Sequence, residues 1–195
     1  MNEDASEFDK NGFFTSEKVT HFNCEILKST LCNFLKTKSV LDLGCGDGFY
    51  IKHLEPVCLK VQGYDGNPYT KKLTGGLGDS SDLSQVQNFY KYDWVISFET
   101  GEHIPVEFEG NFINNLCRHA KEGIILSWAS IDQEGQPQPG TGHVNCRPNS
   151  YLIEKMYEKS FLCDYNRTNF FRHKMDLWWL KFNLMVFYKV DSLII

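Results

Sequence analysis

Two short segments of the chain carry side chains able to move a proton near neutral pH. Glu99-Thr-Gly-Glu102-His103 places two carboxylates and an imidazole within five residues, and Gly140-Thr-Gly-His143-Val-Asn145 sets a second imidazole in a glycine-rich stretch. A neutral histidine or a carboxylate can accept the proton of an attacking hydroxyl. His143, His103 and Glu102 are therefore the candidate catalytic groups, with Asn145 placed to orient the base or the acceptor. A third segment, Asp42-Leu-Gly44-Cys45-Gly46-Asp-Gly48, holds glycine at every second position. Such a backbone can turn sharply and let a ligand come close with no Cβ in the way. Asp65 follows Gly44 by 21 residues and opens Asp65-Gly66-Asn67-Pro68. An acidic residue at that spacing suits the paired ribose hydroxyls of an adenosine.

These residues need a scaffold, and the hydrophobic pattern supplies one. Residues 39–43 read as a short buried strand that stops at the glycines, and 49–54 as the helix that Pro56 ends. A second strand covers 59–64, a third 93–98, a fourth 123–128 and a last one 184–188. Helical spacing of apolar residues covers 16–35, starting from Ser16, then 107–120 and 150–160. Residues 70–89 hold Gly75, Gly76 and Gly78, so a full helix and strand are hard to fit there. Residues 130–149, rich in Pro and Gly, form a long loop of the kind that usually carries function. The remainder shows only short aromatic runs; Trp128, Phe170, Phe171, Trp178 and Trp179 are expected in the core, with one or two walling a pocket. Strands alternating with helices imply βαβ units and a parallel sheet covered on both faces.

Composition narrows the function. The chain has 195 residues, 42% hydrophobic and 23% charged, which fits one globular domain over 16–195 after a polar tail over 1–15. No apolar run approaches the ~20 residues that span a bilayer, and the N-terminus lacks a basic-then-apolar leader pattern. Seven cysteines without a CxxC pair read as reduced thiols in a cytoplasmic protein, with no metal site expected. A net charge of −5 argues against nucleic acid as a partner, although Lys71-Lys72 and 167–174 are locally basic.

The pattern D-x-G-x-G-x-G after a strand resembles motif I of class I S-adenosylmethionine-dependent methyltransferases. The resemblance covers roughly residues 39–130. A dinucleotide enzyme would carry a third glycine where Phe49 stands. The resemblance implies a Rossmann-like fold with a mostly parallel seven-stranded sheet, helices on both faces and an antiparallel last strand. It implies S-adenosylmethionine as cofactor, held by Asp42, Gly44, Cys45, Gly46 and Gly48 around the methionine and ribose. Asp65 and Gly66 would meet the ribose, Asp82-Leu83 the adenine (Asp79 being an alternative), and Glu99 the neighbourhood of the cationic sulfur. Residues 92–105, Ser127-Trp128 and Gly142-His143-Val-Asn145 are further similar to methyltransferases found beside glycosyltransferases, including sugar-methylating domains of large chlorella viruses. That narrower resemblance implies O-methylation of a rhamnose-like sugar in a glycan, a functional link to glycosyltransferases, and residence in a host cytoplasm. Rival expectations are a methyltransferase for another small molecule or a protein, and a cofactor-binding module without catalysis.

Overall fold

The computed structural model describes residues 15–17, 22–131 and 135–190. Seven strands form one sheet: β1 (Ser39–Leu43), β2 (Lys60–Asp65), β3 (Gly78–Ser80), β4 (Tyr92–Phe98), β5 (Ala120–Ser127), β6 (Phe161–Cys163) and β7 (Met185–Lys189). Their order is β3-β2-β1-β4-β5-β7-β6. The ladders among β1 to β5 are parallel, and β7 runs antiparallel to both β5 and β6. Seven helices surround the sheet: α1 (Glu25–Phe34), α2 (Phe49–Leu54), α3 (Thr70–Leu73), α4 (Glu109–His119), α5 (Asn149–Tyr157), α6 (Tyr165–Lys174) and α7 (Trp178–Asn183).

The central strands are apolar on both sides because both sides are covered. Leu41, Val95, Ile124 and Leu126 face a core closed by Phe112, Leu116, Leu152 and Met156 of α4 and α5. Their strand neighbours Val40, Trp94, Ile96 and Ile125 face the opposite core, closed by Leu27 and Leu31 of α1, Phe171 of α6 and Leu180 of α7. The seven-stranded, mostly parallel sheet with an antiparallel last strand is thus the expected architecture.

Several elements depart from the sequence pattern. The first helix starts at Glu25, not near Ser16, because the backbone at Cys24 is extended (φ −103°, ψ 108°) and its Sγ caps Leu27 N. Phe22 stands outside the helix and 81% exposed, while Val19 lies outside the described residues. Residues 70–89 do accommodate a helix and a strand, each reduced to its minimum, as α3 and β3. Helix α4 passes straight into β5 at Ala120, which pairs with Tyr92, so the strand begins three residues before the apolar run signals it. Between β6 and β7 the aromatic runs resolve into α6 and α7.

Candidate active site

The strand order reverses between β1 and β4, since β1 leads out to β2 on one side and β4 to β5 on the other. The crevice beyond the C-terminal ends of such strands is where an open α/β sheet binds ligands. A cavity of about 650 Å³ lies there, inside the ~300–1,000 Å³ range of small-molecule sites. Gly44 follows β1 with φ +90°, and a Cβ on it would lie 2.1 Å from Thr100 Oγ1. The turns after β1 and β4 therefore touch, and only glycine fits between them. Asp65, at the end of β2, ties the glycine turn down: Oδ2 accepts from Gly46 N and Oδ1 from Asn67 N, each at 2.9 Å.

Asp42, Gly44, Cys45, Gly46, Asp65, Gly66, Leu83, Glu99, His103 and His143 all line this cavity. Five candidates from the sequence, Gly48, Asp79, Asp82, Glu102 and Asn145, are not among its lining residues. Gly48 caps α2 in a left-handed conformation and is buried against Thr74, which a Cβ would meet at 2.9 Å; its glycine serves packing. Asp82 turns its Oδ1 to Ser84 N at 2.9 Å. Glu102 is fully buried behind the cavity wall. The alternative Asp79 pairs with Lys71 at 3.3 Å away from the site. Asn145 is buried, its side-chain nitrogen without a hydrogen bond, while its carbonyl accepts Trp128 Nε1 at 2.6 Å. Tyr50, Thr100, Ile104, Gln138, Trp178 and Trp179 also line the space. Of these, the two tryptophans were legible as an aromatic run and Tyr50 only by its place just after the glycines.

The two catalytic segments converge. The Glu102 carbonyl accepts from both Val144 N and Asn145 N at 2.9 Å, which pins the long loop onto the turn after β4. His103 Nδ1 lies 3.1 Å from the Gly142 carbonyl and His143 Nδ1 2.9 Å from that of Gln138. The rings stand edge to face, 5.1 Å apart. One ligand atom each from Glu102, His103 and His143 falls within 4.8 Å of the others, a cluster that nothing in the spacing of the sequence signals.

The electrostatics are one-signed. Asp42, Asp47, Asp65 and Glu99 line the cavity, and among the described residues no Lys or Arg does. Burial, followed by the charges of Asp65 and Asp47, holds the Asp42 carboxyl well above the usual range. Burial lifts Glu99 to about 7. Glu99 also has a positive φ of 48° at the end of β4, a strained conformation of the kind that gathers at functional sites. Burial, then the Glu99 charge, pushes Glu102 well up, with the amides of Glu102 and Ala129 pulling the other way. Burial and the carboxylates keep Cys45 a thiol.

Such a cavity suits a cationic ligand, and comparison with known proteins is in keeping with one. The family model described as "Methyltransferase domain" matches residues 16–184. The chain belongs to this family. A search of curated protein sequences gave no match. Among solved structures, an amino pentose methyltransferase of Micromonospora echinaspora, bound to S-adenosylmethionine, superposes with a TM-score of 0.66 at 10% identity, covering 90% of this chain and 100% of that one. The magnesium protoporphyrin IX methyltransferase of Synechocystis, bound to S-adenosylhomocysteine, gives 0.61 at 19% identity, with 84% and 80% covered. The 1,6-didemethyltoxoflavin-N1-methyltransferase of Burkholderia thailandensis gives 0.57 at 14% identity, with 86% and 78% covered.

The methyltransferase uses S-adenosylmethionine. The cavity fits it: the donor is cationic at its ammonium and sulfonium, and the site holds clustered acidic side chains with, among the described residues, no Lys or Arg. A dinucleotide, with its pyrophosphate, would meet clustered acidic side chains and, among the described residues, no Lys or Arg. Asp42 and Asp65 would hold the ammonium and the ribose, and Leu83 with Ile104, which also line the cavity, would meet the base. Bound there, the cofactor supplies an electrophilic methyl group on sulfur.

Proposed function

We propose that this methyltransferase methylates a hydroxyl oxygen of a neutral sugar, rhamnose-like, within a glycan or glycoside. The observation that carries this reading is the pairing of His103 and His143 at a cavity wall that also includes Trp178 and Trp179 and, among the described residues, no Lys or Arg. An anionic acceptor would have to enter against Asp42, Asp47, Asp65 and Glu99, so a neutral one is favoured. Flat indole faces suit the C–H surfaces of a sugar ring, and Gln138 and Thr141 offer polar groups beside them. A sugar hydroxyl is a poor nucleophile until its proton leaves as the oxygen attacks, which is the task assigned to the histidine pair. The amino pentose methyltransferase among the structural neighbours is in keeping with a sugar acceptor.

In this reading Asp42, the turn at Gly44 to Gly46, Asp65 and Glu99 hold the donor, with Leu83 under the adenine. His143 and His103 promote loss of the acceptor proton, and the long loop and α7 exclude water from the reacting atoms. The test is labelled-methyl transfer from S-adenosylmethionine to three acceptor sets: synthetic rhamnosides, capped RNA, and a mixture of catechols and small acids. Label on a rhamnoside hydroxyl is the expected result. Label only on RNA or on the catechol and acid set overturns the sugar assignment, and cofactor binding with no transfer to any acceptor points to a module without catalysis. In the same assay His143→Ala is expected to keep cofactor affinity and lower turnover ~10²-fold or more.

A further inference from the structure

We propose that Glu102, His103 and His143 form a binding site for one first-row divalent transition-metal ion at the acceptor end of the cavity. The proposal rests on reading that end as the acceptor side.

Three ligand atoms of suitable kind stand within 4.8 Å of one another. Two imidazoles and one carboxylate form a mixed nitrogen–oxygen set that suits manganese, iron, cobalt or zinc better than calcium or magnesium, which prefer all-oxygen cages. The second observation is Glu102 itself. Its side chain is 0% exposed, neither carboxyl oxygen has a hydrogen-bond partner of ordinary length and angle, and the charge that acts on it is that of Glu99, of the same sign. Among the described residues no Lys or Arg forms an ion pair with it. A carboxyl buried without a counter-charge accepts a metal cation in place of its proton.

The surroundings are built as the outer layer of a metal site is built. Each imidazole has its Nδ1 against a backbone carbonyl, Gly142 for His103 and Gln138 for His143. An Nδ1–H donated to a carbonyl fixes the ring and leaves the lone pair on Nε2, the arrangement typical of ligating histidines. Gly140 makes room for the His143 ring, since a Cβ there would fall 2.2 Å from Nε2. Glu102 both contributes its carboxylate and, through its carbonyl, anchors the loop that carries His143.

His103 and His143 line the cavity while Glu102 lies behind them, so an ion held by the three keeps open positions on the cavity side. An acceptor hydroxyl bound there loses its proton to water more readily, because the ion stabilises the alkoxide. The histidines then act through the ion rather than as free bases.

The test titrates manganese(II) alone into the full chain, stripped with chelator, without cofactor or acceptor, followed by calorimetry and by the manganese paramagnetic resonance signal. One ion per chain is expected, with affinity lowered at least ~10-fold in Glu102→Gln and in His143→Ala. Circular dichroism and S-adenosylmethionine affinity of His143→Ala keep the result readable should Glu102→Gln fail to fold. No binding to the wild type, or equal binding in His143→Ala, overturns the proposal. Rhamnoside methylation at full rate in chelator, with no ion bound, overturns the ion and leaves the acceptor reading standing. Manganese bound at these residues with no sugar methylated does the reverse.

Discussion

At the scale of single residues, the site sets stability against binding. Asp42 is 2% exposed and faces the charges of Asp65 and Asp47, so its carboxyl is pushed well up in the folded chain. A carboxyl whose folded pKa exceeds its unfolded value takes up a proton on folding. Stability is then lost as pH rises from the unfolded value through the folded one. Asp42→Asn removes that liability. The cofactor-free variant is expected to melt at least ~2 °C higher at neutral pH, the shift that about 1 kcal/mol gives in a domain of this size, and to bind S-adenosylmethionine more weakly. Scanning calorimetry and titration calorimetry on one preparation read both; a lower melting point contradicts the account. Asp65 already employs both oxygens, on Gly46 N and Asn67 N. Asp65→Ala loosens the glycine turn and, in the proposed reading, removes the ribose acceptor together. It should cost at least ~1.5 kcal/mol of cofactor binding in titration calorimetry.

At the scale of elements, the loop after β5 is held from three sides. The Glu102 carbonyl takes Val144 N and Asn145 N, the indole of Trp128 donates to the Asn145 carbonyl, and Asn183 at the end of α7 donates to Gln138 Oε1 at 2.7 Å. Trp128 is itself seated on Gly101, where a Cβ would fall 2.1 Å from the indole ring. A long loop fastened this way can present His143 at a fixed position. Trp128→Phe keeps most of the ring volume and deletes the hydrogen bond. It is expected to destabilise the chain by ~0.5–1.5 kcal/mol in urea unfolding. Turnover should fall ~10-fold or more, since small misplacements at a reacting centre are costly, while cofactor affinity stays unchanged. A fall in cofactor affinity equal to the fall in turnover would place the effect on the donor side instead.

At the scale of the whole molecule, the net charge of −5 and the absence of Lys and Arg among the described cavity residues make one electrostatic statement. Binding of a neutral acceptor releases no counterions. The specificity constant for a rhamnoside is expected to change by less than about 2-fold between about 50 and 200 mM salt. A protein making roughly 6–10 phosphate contacts loses ~10³–10⁵ in affinity over that range. A steep salt dependence in steady-state kinetics would return a phosphate-bearing acceptor to consideration.

The sequence by itself determined the features that local rules govern. The strand–glycine–helix unit over β1 and α2 and the acid at the end of β2 were legible because one turn and one strand spacing set them. So were the buried strands β4 and β5, whose apolar runs answer to burial on both faces. Elements with weak local signals were not legible. Helix α6 buries only Thr168 and Phe171 and has no apolar stripe, and β3 is three residues long and owes its pairing to β2. Gly48 and Asp82 match a motif in sequence, yet packing on Thr74 and a turn to Ser84 occupy them. Only the tertiary structure joined His103 to His143, 40 residues apart, and set both in front of the buried Glu102. The physical reason is that their meeting depends on backbone bonds between a turn and a distant loop, made when the sheet brings the ends of β4 and β5 side by side. No periodicity along the chain encodes that contact.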